Sequence, residues 1–458
     1  MDTRPIYNQG SSHRHCEGQN PEAILWVRGD RFAEFILSAA EGLAMTMGEN
    51  QKTMLYDRLL YNGAHSDSKI AGAARLLMKI VIAPQGFKGS LSAMEAAKAI
   101  AKGVLAAEPQ AEIALVPVAD GGDGTLNALV DSTNGQVFRS IVTGPLGRAV
   151  EAQWGVMGDG QTAVVEMAQA SGLVLVPFKH RNPLTSTTRG TGQIIKEALD
   201  KGYSRIIVGL GGSATNDAGA GMALALGARF LDAQGRPLPE GGAALARLAR
   251  IDLSQLHPAL KSVQVIGATD VTNPLCGPTG ASAVYGPQKG ATPEMVKRLD
   301  LALANFARVA QEELGRDVSE QPGAGAAGGL GAGLMAFAEA ELKSGIDMVC
   351  QLLEFDRHLE GADLVITGEG RADLSTKYDK APVGVARKAE ARGVPTVVLA
   401  GSLGKGHEEL YRHGIAGLVC IGDRPMSFQR SLARTEELLA AAAERTMRLL
   451  RVGSGLRI

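Results

Sequence analysis

Lys79–Ala107, KIVIAPQGFKGSLSAMEAAKAIAKGVLAA, holds three patterns in succession. KIVIA is an unbroken apolar run rich in β-branched residues, which predicts a strand buried on both faces, as in a parallel sheet. SLSAMEAAKAIAKGVLAA has apolar residues at helical spacing, with Ser90 or Ser92 as the N-cap. Between strand and helix, PQGFKGS brings glycine, an amide and Lys88 to one turn. In open α/β sheets, ligands bind at such turns, outside the carboxyl ends of the strands.

The same alternation recurs along the chain. EIALVPV precedes TLNALVDST, RIIVGL precedes AGAGMALALGA, DLVITGEG precedes APVGVARKAEARG, and PTVVLAG precedes EELYRHG. The fold class this predicts is α/β, with parallel sheets covered by helices. Val150–Glu166, VEAQWGVMGDGQTAVVE, breaks the pattern with two alternating runs around Gly-Asp-Gly, predicting a hairpin and hence a second lobe of mixed type. Ser431–Leu450 reads as an amphipathic packing helix. Residues 1–77 lack the alternation, so Met78 reads as the start of the folded region and the preceding segment as a poorly ordered extension. The HRHC cluster at His13–Cys16 belongs to that extension rather than to a metal site.

Composition narrows the function. Among 458 residues, 47 basic side chains nearly cancel 48 acidic ones, so no whole-molecule field draws nucleic acid or an anionic membrane. Four scattered cysteines without CxxC spacing form neither a disulfide framework nor a zinc site, which fits a reducing cytoplasm. No apolar run has the length of a membrane span, and the N-terminus lacks the order of a signal peptide.

Five polar, glycine-rich stretches carry the candidate chemistry: Pro84–Ala93, Ala119–Thr125, Gly211–Gly219, Pro322–Gly333 and Thr367–Asp373. In GGSATNDAG, missing side chains let backbone N–H groups approach an anion, while Ser213, Thr215, Asn216 and Asp217 offer short polar groups. Tight turns and helix capping would use the same residues. No Walker A motif is present, because Gly404-Lys405 lacks the leading glycine and the following hydroxyl. GAGAAG at Gly323–Gly328 satisfies GxGxxG but follows no strand, which removes the dinucleotide reading and leaves a backbone cradle or close helix packing. Neither GxSxG nor HExxH occurs. The acids in these loops are Asp120, Asp123, Asp217, Glu369 and Asp373, and Asp270 follows the run VQVIGA. Phosphoryl transfer requires such carboxylates to hold Mg²⁺ and orient a hydroxyl, and cations such as Lys88, Lys289 and Arg371 to balance the migrating charge.

At these residues the chain resembles the bacterial glycerate kinases of the glycerate 2-kinase type. The similarity rests on KIVIAPQGFKGSLSA, VPVADGGDGT, TSTTRGTGQII, GLGGSATNDAGAG, ATDVTNPLCGPTGAS, PGAGAAGGLGAGL and VITGEGRAD, and runs from Met78 to about Leu450. The resemblance implies ATP-dependent, Mg²⁺-assisted phosphorylation of D-glycerate on its 2-hydroxyl, giving 2-phosphoglycerate. It also implies a Rossmann- or flavodoxin-like lobe from residues 78–145 and 355–458, bringing strands near Lys79 and Leu364 together, and an inserted α/β lobe from 146–354. The expected catalytic residues are then Lys88, Asp217, Asp270 and Arg371, with Glu369 and Asp373 on the metal. Asp120, Asp123, Gly211, Gly212, Ser213, Thr215, Asn216 and Lys289 are expected to bind substrate or phosphate. Gly325, Gly328, Gly329 and Gly331 are expected to cradle phosphates.

Four positions depart from the family pattern. Gln85 and Gly86 stand where an Asp-Ser pair is common, Ser375 where Gln is usual, and Asp379 where Gly is usual. A neutral Gln85 cannot replace a carboxylate as a base or as a strong Mg²⁺ ligand.

Overall fold

A computed structural model describes residues 78–377 and 380–453. The expectations for residues 1–77 and for Asp379 lie outside the described residues. Two sheets organise the chain. The first is wholly parallel and is ordered β13 (Ile415–Cys420), β12 (Thr396–Ala400), β11 (Leu364–Glu369), β1 (Lys79–Ile82) and β2 (Glu112–Leu115). β1 and β11 pair with Ile80 opposite Leu364, so the strands near Lys79 and Leu364 are neighbours despite their separation in sequence.

The second sheet is ordered β10 (Glu341–Lys343), β9 (Gln264–Ala268), β6 (Arg205–Gly209), β5 (Thr162–Glu166), β4 (Ala149–Val156) and β3 (Gln136–Thr143). Its first four strands are parallel, while β4 and β5 form the expected antiparallel hairpin, with Trp154 opposite Val165. β3 adds an antiparallel edge that the sequence did not announce. It lies in the second sheet although it precedes residue 145, the expected lobe boundary. Most of its side chains are at least partly exposed, so it lacks the apolar run that marks the other strands.

Strand burial explains why the two sheets stay together. In β1, Ile80 and Ile82 pack outward against Ile100 and Leu439, whereas Val81 points inward. The inward layer joins Val81 and Val365 of the first sheet to Val164, Ile207 and Ile266 of the second, with Val349 and Phe355 also in the cluster. Fully burying each such side chain contributes about 1.5–3 kcal/mol. A third cluster, including Trp154, Ile194, Phe306 and Phe337, covers the far face of the second sheet.

Ser92, not Ser90, caps helix Ala93–Ala107. Glu95 N donates to Ser92 Oγ, and Ser92 N donates to the Glu95 carboxylate at 2.8 Å, a reciprocal capping box. This helix lies against Thr435–Gly453 so closely that a Cβ on Gly103 would sit 2.0 Å from the Ala440 carbonyl oxygen. The expected C-terminal helix is therefore two pieces, Phe428–Ala433 and Thr435–Gly453, broken at Arg434.

Candidate functional site

The loops after β1, β2, β6, β9 and β11 converge. Gly211 N donates to Gly121 O at 3.3 Å, and a Cβ on Gly211 would lie 2.5 Å from the Gly122 Cα. Bare backbone is needed there because a loop from each sheet lies directly on the other.

Around this contact two cavities open. One, of about 430 Å³, is bounded by Gly122, Gly212, Ser213, Asp270, Tyr285 and Ala327. The other, of about 590 Å³, is bounded by Gln85, Lys88, Glu369, Arg371 and Ser402. Asp120 and Lys380 line both. Three acids meet along this boundary. Burial, reinforced by the charge of Asp120, pushes Asp270 up to about 7 although Gly345 N at 2.8 Å and Ser344 Oγ at 3.3 Å donate to it. Burial likewise pushes Glu369 up to about 7, against a 2.8 Å hydrogen bond from Thr376 Oγ1 and the charge of Lys380. Asp120 accepts from Gly122 N at 3.2 Å and Gln85 Nε2 at 3.4 Å.

The cations stand at the second cavity. Lys88 reaches Asp123 at 3.2 Å, both largely in solvent, and Arg371 reaches Asp373 at 3.0 Å. Asp373 lines neither cavity. Its carboxylate accepts from Ser375 N at 2.9 Å and Ser375 Oγ at 2.6 Å, which keep its pKa below the ordinary value.

Several expected site residues lie beneath the cavities instead. Asp217, fully buried, is an acceptor for Thr188 N, Thr188 Oγ1, Gly219 N and Gly221 N at 2.9–3.2 Å. The placement expected for a catalytic Asp217 is therefore not observed: it lines neither cavity, and burial raises its pKa. Lys289 is 1% exposed and donates to Thr215 O at 2.7 Å; burial pushes its pKa down to about 7, opposed by Asp217. Asn216 Nδ2 donates to Ser282 Oγ at 3.0 Å. Thr215, Asn216, Asp217 and Lys289 thus form the underside of a loop whose upper side is Gly211–Ser213.

Pro322–Gly333 also supports that underside. A Cβ on Gly328 would lie 2.0 Å from Thr215 O, one on Gly325 2.3 Å from Pro274 O, one on Gly331 2.3 Å from Gly323 O, and one on Gly329 2.8 Å from Leu275 Cδ1. These glycines face packed protein, which is close packing rather than an open cradle. Ala327 is the member that reaches a cavity, with φ of 53° in the left-handed region that a side chain rarely adopts. Lys380 and Tyr285 also escaped the sequence reading. Lys380 had a signal in its place at the start of helix Ala381–Glu390, just beyond the loop that follows β11.

Bare amides beside one cavity and cations beside the next suit a phosphotransferase acting on a small acid. A profile of the glycerate kinase family matches residues 80–451. The chain is 50% identical over 364 residues to a glycerate kinase of Halalkalibacterium halodurans, covering 80% of this chain and 96% of that one. It is 52% identical over 338 residues to the glycerate 2-kinase of Escherichia coli, covering 74% and 89%. The crystal structure assigned to glycerate kinase 2 of Salmonella typhimurium LT2 is similar with a TM-score of 0.75 and 46% identity, over 83% of this chain and all of that one. This chain belongs to the glycerate kinase family.

Proposed function

We propose that the chain transfers the terminal phosphoryl group of ATP to the 2-hydroxyl of D-glycerate, across the boundary that the two cavities share. The observation that carries this reading is the position of Asp120 and Lys380, which line both cavities. The glycine-lined cavity takes the triphosphate on the backbone at Gly211–Ser213, with Leu173, Leu210 and Val271 as apolar walls. The cationic cavity takes glycerate, with Lys88 and Arg371 on its carboxylate.

Asp270, with a pKa near neutrality, suits the general base. It accepts the 2-hydroxyl proton while that oxygen bonds to the terminal phosphorus and the bond to the ADP oxygen breaks. Lys380, close enough to lower the pKa of Glu369, offsets charge on the phosphoryl group. Asp217 and Lys289 hold the glycine loop from below.

The residues fit Mg²⁺. Among the described residues no three Asp, Glu, His or Cys side chains form a metal cage, and a Mg²⁺ shared with phosphates needs only one or two carboxylates. Asp120 and Glu369 are hard oxygen donors at the cavity boundary whose charges interact unfavourably until a cation separates them. Bound there, Mg²⁺ would neutralise phosphate charge.

The proposal treats the two sheets as lobes, 78–145 with 355–453 and 146–354, with β3 counted in the second. Its partners are small molecules, not nucleic acid, and its setting is the cytoplasm. Cys276, Cys350 and Cys420 are free, and among the described residues no helix is long and apolar enough to cross a membrane. A coupled ADP-release assay with D-glycerate, followed by phosphorus NMR of the product, tests the reading. ATP-dependent formation of 2-phosphoglycerate is expected; a 3-phosphorylated product would contradict it.

A further inference from the structure

Of the described residues that bound the glycine-lined cavity, Tyr285 alone is aromatic. Its hydroxyl donates to Asn273 Oδ1 at 2.7 Å, and Asn273 Nδ2 donates in turn to Thr279 O at 2.8 Å. The hydroxyl is thus engaged by the protein, which fixes the side chain and leaves the ring as its surface toward the cavity.

The aliphatic walls belong to the same loops as the bare amides. Leu173 N donates to Gly212 O at 2.8 Å, Leu210 directly precedes Gly211, and Val271 directly follows Asp270. The cavity, of about 430 Å³, therefore presents two chemistries, glycine backbone for anions and an apolar surround, and its size is that of sites that enclose a whole small-molecule ligand. A triphosphate gains nothing from leucine, valine or a phenol ring. The purine is the planar, weakly polar part of ATP, and rings of that kind stack on aromatic side chains. Resting on the assignment of ATP to this cavity, we infer that Tyr285 binds the nucleotide base, with adenine stacked on its ring and bordered by Leu173 and Val271.

Calorimetric titration of ATP and of inorganic tripolyphosphate, each with Mg²⁺ and without glycerate, tests this. Tripolyphosphate carries the phosphates and lacks the base. Tyr285→Ala should weaken ATP by about five- to a hundredfold, the effect of losing one base–aromatic stack, and leave tripolyphosphate within about threefold. Tyr285→Phe keeps the ring and should bind both ligands within about threefold of the unaltered protein. ATP binding unchanged in Tyr285→Ala overturns the inference. Equal weakening of ATP and tripolyphosphate in Tyr285→Ala overturns it as well, because the side chain would then act on the glycine loop and not on the base. A loss of ATP in Tyr285→Phe as large as in Tyr285→Ala also overturns it, assigning the effect to the hydroxyl. Ser213→Asp separates the two levels of the argument by placing a carboxylate among the loop amides, with D-glycerate binding as the check that the variant is folded. If Ser213→Asp weakens neither ATP nor tripolyphosphate, the triphosphate does not bind in this cavity; if it weakens both and Tyr285→Ala leaves ATP unchanged, only the role of Tyr285 fails.

Discussion

Asp120 follows β2 of the first sheet and Asp270 follows β9 of the second, yet the charge of Asp120 helps to hold Asp270 at a pKa of about 7. The inward apolar layer shared by the sheets produces this meeting, because it fixes their carboxyl ends beside one another. The resulting like-charge contact favours a proton or a cation in the cleft. A cation held there would offset the charge of a transferring phosphoryl group.

The activity should follow the charge of Asp270. A base must be unprotonated to act, so kcat/KM for glycerate is expected to rise with pH through about 7. Asp120→Asn removes the like charge and lowers the pKa of Asp270, so the rising limb should move to lower pH while the rate falls. A limb that stays in place in this variant would show that Asp120 does not act on the titrating group.

Lys88→Ala and Arg371→Ala should each lower kcat/KM by roughly ten- to a hundredfold, the loss of one charge-assisted hydrogen bond. Stability is expected to change little for Lys88→Ala. Its pair with Asp123 is solvent-exposed, and such pairs contribute about 0–1 kcal/mol. Urea midpoints measured beside the kinetics would separate the two effects.

Asp217 and Lys289 should show up as stability rather than chemistry. Asp217→Ala leaves four donors and a buried amine without their acid and should cost about 3–5 kcal/mol of unfolding free energy. Lys289 titrates near 7 in the folded chain, against an ordinary 10.5, so between those values the unfolded chain binds more protons. Its contribution to stability therefore rises with pH across that window, whereas the raised pKa of Asp217 works oppositely, stability being lost as pH rises from the ordinary carboxylate value through the raised one. Urea unfolding of the unaltered protein and Lys289→Met at neutral and alkaline pH measures the first effect. The unaltered protein should gain on the variant as pH rises.

Much of the scaffold was legible in the sequence because its strands are buried on both faces. KIVIA, RIIVG and LVITGE have no alternation to confuse, and each leads into a loop that reaches a cavity. Exposed β3 offered no such run. Within the site, residue types could be read but their facing could not. Ser213 and Asp217 are four residues apart in one glycine loop, and only tertiary contact with Thr188 turns the second one under. Lys289 resembles Lys88 as a loop cation until packing buries it against Thr215. The glycines of Pro322–Gly333 carry the composition of a cradle, but the carbonyls of Thr215 and Pro274 fill the space their side chains would take.

The most direct test of the central claim is turnover by Asp270→Asn, assayed by coupled ADP release alongside calorimetric binding of D-glycerate and an ATP analogue. With the base removed and the isosteric amide still able to hold the loop, turnover should fall by at least about 10²-fold while both ligands bind within roughly threefold of the unaltered protein. Turnover within about threefold of the unaltered enzyme would contradict the account, because the proton of the 2-hydroxyl would then have another destination.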